Sequence, residues 1–138
     1  MKIRYISYII LLCCFSLVLN GQSKKTIREK GISSQTVHEY FIEEGMNEPV
    51  VETIEKYDRN GELIEIQEFN RRGEVRRWEK YVYDEEGELI EEIYLDEKGK
   101  VERTEKNIYK DGLRVEKEFY NNRGRLFNRK VYIYEYYE

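Results

Sequence analysis

Tyr83-Asp84-Glu85-Glu86-Gly87-Glu88-Leu89 is the stretch that decides the fold, because four other segments share its form. Tyr57 to Leu63, Phe69 to Val75, Leu95 to Val101 and Tyr120 to Leu126 each read as an aromatic residue or Leu, then Asp or Asn, two polar residues, Gly, one residue, and Leu or Val. Repetition at fixed spacing outranks other signals in a sequence. Asp and Asn favour the first position of a type I turn, and Gly favours the left-handed position that closes a three-residue hairpin loop. The spacing thus predicts a loop at Glu85-Glu86-Gly87, with Asp84 opposite Glu88 and Tyr83 opposite Leu89. A sixth turn, Tyr109-Lys110-Asp111-Gly112-Leu113, is one residue shorter and matches the two-residue type I′ loop.

Separations along the chain set the expected faces. Leu63 to Phe69 is six residues, Val75 to Tyr83 eight, Leu89 to Leu95 six and Val101 to Tyr109 eight. Strand side chains alternate with period two, so even separations put every turn-flanking pair on one face. That face would carry Tyr57, Leu63, Phe69, Val75, Tyr83, Leu89, Leu95 and Val101 at its rims, with Glu65, Arg77, Glu79, Glu91, Arg103 and Glu105 between them. The other would carry Ile64, Ile66, Trp78, Ile90, Tyr94, Ile108, Val115, Phe119, Phe127 and Val131. Strands are expected near 62–70, 74–84, 88–96, 100–110, 113–121 and 125–136, with no helical period among them. The fold class is all-β: an antiparallel up-and-down meander of about eight or nine strands joined by short Gly-containing hairpins. It is either an open twisted single-layer sheet or a curled half-barrel.

Charge supports the pairing order. Glu62, Glu65 and Glu68 precede a basic stretch, Arg71, Arg72, Arg76, Arg77 and Lys80, which precedes Asp84, Glu85, Glu86, Glu88, Glu91 and Glu92. Opposite charges across a strand pair contribute about 0.2–1 kcal/mol each, and like charges brought together by a slipped register repel.

Upstream the pattern weakens. Residues 22–56 read as degenerate hairpin repeats ahead of the regular array at 57–138: Ile27 stands four before Gly31 and Phe41 four before Gly45, as Tyr57 does before Gly61. Strands would fall near Ser34–Ile42 and Val50–Tyr57, with the only proline, Pro49, at a strand entrance where its missing N–H does least harm. Residues 1–21 read as a secretory signal peptide: Lys2 and Arg4, an apolar run from Ile6 to Leu19, then the polar switch at Asn20-Gly21-Gln22-Ser23. Cleavage is expected after Gly21, with export to the periplasm or the exterior. The run is short for a bilayer span, so the mature chain is expected to have none. Cys13 and Cys14 would leave with the leader, and Leu11 and Leu12 stand where a lipid-attachment site wants small residues. The mature chain, about 117 residues, fits one domain without thiol or disulfide chemistry.

The chain carries 24 Lys and Arg against 28 Asp and Glu, a net charge of −4, and loss of Lys2 and Arg4 makes it more acidic. Nucleic acid selects basic faces, so it is not an expected partner. The sequence holds no Gly-rich phosphate loop, nucleophile elbow or zinc ligand set. No catalytic residue, metal or cofactor is expected. Asp84-Glu85-Glu86 are adjacent acids on a hairpin tip, whereas a calcium loop alternates its oxygen ligands. His38, the only histidine, reads as a solvent-facing strand residue. Trp78, the only tryptophan, is the sharpest binding candidate, with Arg76 beside it and Tyr94 expected on the same face of the next strand. Aromatic platforms with arginines suit a glycan or protein partner; the competing reading puts Trp78 in the core of a curled sheet. Tyr132 and Tyr134 join the candidates. They belong to a terminal strand whose edge has only Glu135 and Glu138 among its aromatic and aliphatic residues, and which is open to self-association or partner pairing.

The Tyr-Asp-x-x-Gly-x-Leu units resemble YD repeats of the Rhs type and, less closely, the MORN-variant repeats of some bacterial antitoxin components. The resemblance covers residues 57–134. It implies a bacterial envelope or secreted protein built on a long antiparallel sheet, here without room for a toxin domain. Together these readings lead to a secreted or periplasmic, non-catalytic β-repeat module that binds a protein or glycan. The alternative is an inhibitor or immunity-type protein that neutralises a toxin.

The loop geometry makes a prediction at once. Gly87 alone needs a positive φ, which is expensive for a β-branched residue. Gly87→Val is expected to lower the denaturation midpoint far more than Glu86→Val, and equal midpoints would refute the turn assignment.

Overall fold

The computed structural model describes residues 23–42, 45 and 48–137, so the leader reading of residues 1–21 lies outside the described residues. A short helix α1 (Lys24–Lys30) precedes β1 (Ser34–Glu39), β2 (Val50–Tyr57), β3 (Leu63–Phe69), β4 (Val75–Tyr83), β5 (Leu89–Leu95), β6 (Val101–Lys110), β7 (Leu113–Asn121) and β8 (Leu126–Val131). The strands make one antiparallel sheet of 8 in chain order, with β1 and β8 as its two edges. The sheet is a single open layer and does not close into a barrel.

The loops have the expected geometry. Asp84 N–H donates to Glu88 O at 3.0 Å, and Gly87 N–H to Asp84 O at 3.1 Å. Asp84 Oδ1 also accepts the Glu88 N–H at 2.8 Å. The same side-chain oxygen caps the loops at Asp58, Asn70, Asp96 and Asn121. Only Oδ1 accepts these bonds, so Asp and Asn serve equally in the repeat. At the shorter turn Asp111 and Gly112 both have positive φ, 52° and 74°, as a type I′ loop requires.

Beyond each of these loops one residue drops out of the pairing. Tyr83 faces Leu89, but Val82 faces Glu91, which leaves Ile90 as a β-bulge. Ile64, Arg76, Glu102, Val115 and Phe127 hold the same place in the other hairpins. The extra residue turns each even separation into an odd one. Tyr57/Leu63 and Tyr83/Leu89 therefore lie on one face, and Phe69/Val75, Leu95/Val101 and Tyr120/Leu126 on the other. This corrects the single shared face that parity alone predicts. On the Tyr83 face, alternation and pairing also place Ile66, Arg77, Glu79, Tyr94, Arg103, Glu105, Asn107 and Lys117. The opposite face holds Trp78 with Glu65, Gln67 and Lys80. The buried strand residues Ile66, Glu105 and Asn107 all belong to the Tyr83 face.

Tyrosine hydroxyls close the sheet where the strand ladders open. Pairing of β3 with β4 ends at Glu65 and Lys80, and of β5 with β6 at Glu91 and Lys106. Past those points Tyr83 O–H donates to Leu63 O at 3.1 Å and Tyr109 O–H to Leu89 O at 3.2 Å. Tyr134 O–H makes the equivalent bond to Arg114 O at 2.6 Å. Each bond reaches back 20 residues, so the structural repeat is a pair of hairpins rather than one.

The two ends depart from expectation. The Ile27–Gly31 spacing belongs to α1, not to a hairpin. Ser23 Oγ caps the helix at the Thr26 N–H, and Gly31 ends it in the left-handed conformation. Ile27 is 1% exposed, the most completely buried side chain among the described residues. At the other end β8 stops at Val131, short of the expected 136, although Tyr132 N–H still donates to Val115 O at 3.0 Å.

Gly61 is where α1 meets the β2–β3 loop: a Cβ there would lie 2.5 Å from the Lys24 carbonyl oxygen. Gly124 has the same left-handed backbone with nothing within 4 Å. An Ala at either position carries the strain of left-handed backbone, about 1–2 kcal/mol, and at Gly61 it also displaces the helix. Gly61→Ala is therefore expected to lower the urea midpoint more than Gly124→Ala and to speed amide exchange at Ile27. Matching midpoints and unchanged exchange would show that the helix does not dock on Gly61.

Candidate functional site

Charged side chains form a belt across the middle of the Tyr83 face. Arg77 donates to Glu68 at 2.9 Å, to Glu79 at 2.7 Å and to the Tyr81 hydroxyl at 3.1 Å. Tyr81 O–H in turn donates to Glu79 at 2.6 Å. Tyr94 lies directly opposite Glu79, and the Arg103 guanidinium stacks on the Tyr94 ring at 3.9 Å. Arg103 Nε also lies 2.9 Å from Glu105, an ion pair whose N–H is not aligned as a hydrogen bond. Glu92 and Glu105 face each other across β5 and β6, a pairing of like charges that would repel. Lys117, reaching over from β7, bridges both at 2.9 and 2.6 Å.

The belt holds its charges fixed. Burial raises the Glu79 carboxyl, but the hydrogen bonds from Arg77 and Tyr81 and the charges of Arg77 and Arg103 outweigh it, so the group titrates below its ordinary value. Burial lowers Lys117, but Glu105 and Glu92 outweigh it, so the ammonium persists above its ordinary range. Burial and the Glu79 carboxylate push the Tyr81 phenol up. Acid–base chemistry near neutrality wants the opposite shifts, a carboxyl raised or a lysine lowered. What this arrangement does is tie together five strands, β3 to β7, in one register.

The sequence-based candidates are divided by the bulges. Trp78 pairs with Gln67 and Tyr94 with Glu79, which puts the two aromatics on opposite faces. Their expected platform is lost because Ile90 takes the bulge and reverses the phase of β5. Trp78 Nε1–H donates to Glu65 at 3.0 Å, and its six-membered ring lies against the Asp96–Lys100 loop, 3.0 Å from where a Gly99 Cβ would stand. The indole is held from two sides as a structural wedge. Arg76 is the bulge residue of its hairpin and is exposed. Both border a shallow cleft of about 390 Å³ whose walls mix Lys98 with Asp96, Glu97 and Glu102.

Tyr132 and Tyr134 fasten the C-terminal segment to β7. The Arg114 guanidinium lies 4.6 Å from the Tyr132 ring, and the Tyr134 hydroxyl takes the Arg114 carbonyl. The surface around them is apolar and open: Phe127 is 58% exposed, Val131 62% and Ile133 87%, and every residue of β8 is exposed. Sequence reasoning passed over Phe127, Arg123, Arg125 and Lys130 as site residues. The signal was present, because the Asn121–Arg125 loop and β8 contain no Asp or Glu, whereas every other hairpin turn from Tyr57 onward contains at least one.

Comparison with known proteins gives no assignment: no protein-family model matches the chain, and no curated protein matches it.

The belt sets an acid dependence. Glu79 has a lowered native value, so its stabilisation is complete above the ordinary carboxylate range and is lost as pH falls through the native value. Glu79→Gln removes this contribution. The variant should lose less of its stability than the parent between about pH 6 and pH 3. Denaturant midpoints at the two pH values measure this, and parallel losses would show that Glu79 is not linked to folding.

Proposed function

We propose that this chain is an exported, non-catalytic β-repeat module that binds a protein, and that the contact surface is β8 with the segment after it. The observation that carries the reading is the gathering of exposed apolar side chains at that end: Leu126, Phe127, Val131, Ile133, Tyr136 and Tyr137. By register Leu126 and Val131 lie on the Trp78 face and Phe127, against Phe119, on the Tyr83 face, so exposed apolar side chains flank this edge on both sides, where a partner strand would cover them. The chemistry of the edge suits a protein contact, in which aromatic anchors and arginines carry most of the energy. Phe127 is such an anchor, packed on Phe119 with ring centroids 6.4 Å apart beside the basic residues of β8.

A protein suits this surface better than a glycan. Trp78, the one indole on which a sugar would stack, already gives its N–H to Glu65 and its ring edge to the Gly99 loop. The charged belt supports the non-catalytic reading, since its ions compensate one another and the Glu79 carboxyl and Lys117 ammonium are shifted away from neutrality. Export rests on Lys2, Arg4 and the apolar run to Leu19, and an envelope setting on the likeness to YD repeats.

The test is comparative capture from an envelope extract with the parent chain, a Phe127→Ser/Ile133→Ser double variant and Trp78→Phe. The parent and Trp78→Phe are expected to retain the same protein in stoichiometric amount, and the double variant to lose it. Retention by a folded double variant would overturn the assignment of the surface.

A further inference from the structure

We infer that the free edge of β8 is completed by an acidic, extended segment of the partner, added to the sheet as a further strand. The inference rests on the reading above that this end is the contact surface, and it names the chemistry of what binds there.

The backbone of the edge is positioned for such an addition. Tyr132 N–H points inward to Val115 O, so by strand alternation the N–H of Val131, the last residue of β8, points away from the sheet. The N–H of Arg129, two residues before Val131, faces outward by the same rule. It donates to the neighbouring Asn128 Oδ1 at 2.7 Å, a local bond that an incoming carbonyl replaces. A row of outward groups on an exposed edge is a template for another strand.

Charge selects the occupant. Inside the sheet several basic residues find acids on other strands: Arg77 takes Glu68, Lys106 lies 4.0 Å from Glu91, and Lys117 takes Glu92 and Glu105, while Lys80 and Arg114 have none among the described residues. Arg129 on β8 has Glu116 at 3.4 Å on its inner side. Among the described residues no carboxylate pairs with Arg123, Arg125 or Lys130. Their loop and strand form one basic segment, residues 121–131, without any acid, and its free side is the outer one, where an acidic neighbour is favoured. Strand alternation puts Arg129 on the Trp78 face and Lys130 on the Tyr83 face. The matching segment therefore carries acids at adjacent positions, flanked by aliphatic or aromatic residues that cover Phe127 and Val131. β5 already has this composition, Leu-Ile-Glu-Glu-Ile-Tyr-Leu. A second β8 is a poor match, because Lys and Arg in the middle of an edge strand deter an identical strand.

The probe is a labelled synthetic peptide, Thr-Val-Glu-Glu-Val-Tyr-Glu-Thr, compared with its Lys-for-Glu counterpart and with a form N-methylated on alternate amides. Fluorescence anisotropy reads binding, amide exchange reads protection at Arg129 and Val131, and sedimentation reads self-association. On the protein, Val131→Pro removes one outward donor and leaves the inward bonds in place, while Val131→Ala controls for the side chain. The acidic peptide is expected to bind the parent and protect both amides. Val131→Pro, the Lys peptide and the N-methylated peptide should each weaken binding at least tenfold, and Val131→Ala less than threefold. Arg125→Glu/Lys130→Glu should reverse the preference between acidic and basic peptides.

Equal binding of acidic and Lys peptides overturns the inference, as does binding indifferent to N-methylation and to Val131→Pro. Dimerisation of the parent that Val131→Pro abolishes overturns it in favour of a second copy. Envelope capture separates the two levels. Capture that survives Val131→Pro but not Phe127→Ser/Ile133→Ser keeps the surface and discards strand addition, while capture that survives both discards the surface.

Discussion

A single layer of β-sheet has no interior, and this chain is organised by that constraint. A strand in a sandwich or against a helix buries one face in a common core, and most of its stability comes from that burial. Here both faces meet solvent, and only Ile27 and Ile66 are buried apolar side chains among the described residues. Cohesion has to come from neighbours within the layer: cross-strand pairs, backbone ladders and loops that fix where each strand begins. The sequence reflects this in its repeated loop, whose Asp or Asn oxygen and left-handed Gly define every turn of the regular array except the shorter type I′ one.

The charged belt on the Tyr83 face stands where an apolar core would be. Exposed ion pairs contribute little singly, about 0–1 kcal/mol, but these side chains are partly covered and share partners. Glu105 is 6% exposed and is served by Arg103 and Lys117 together. Removing one member would leave a nearly buried charge uncompensated, so the belt gives register and order more than it gives bulk stability. The tyrosine bonds act similarly. Each replaces a missing rung between adjacent hairpin pairs, binding one structural repeat to the next.

The same constraint shapes the reading of function. The belt's charges are matched within the layer, whereas at β8 several kinds of group are left open together. There the ladder has no next strand, the basic residues of the last hairpin loop have no acid, and Phe127, though packed on Phe119, stays 58% exposed. Backbone, charge and apolar surface are all unfinished at one edge, and a strand of suitable composition would satisfy the three together.

Sequence by itself determined the strands from Leu63 to Asn121, the loop geometry down to the Asp84–Glu88 pairing, and the type I′ turn at Asp111-Gly112. Each of these is local: a side-chain oxygen and a glycine within five residues settle it. Tertiary structure alone decided the faces. A bulge at Ile90 or Arg76 carries no fixed residue type, since Ile, Arg, Glu, Val and Phe all occupy that position. Its place is constant, one residue beyond the partner of the loop's first aromatic or Leu. That an extra residue stands there at all is read from the pairing of two strands and not from residue type. That one unannounced residue separated Trp78 from Tyr94 and dissolved the platform that parity had assembled. The helix at Lys24–Lys30 is a related case, because Gly four residues after Ile serves a hairpin or a helix C-terminus equally well, and the burial of Ile27 in the folded chain goes with the second. The edge at β8 was half legible: its aromatics and its lack of acids stand in the sequence, but only the register shows which backbone groups face outward and on which face Arg129 and Lys130 lie.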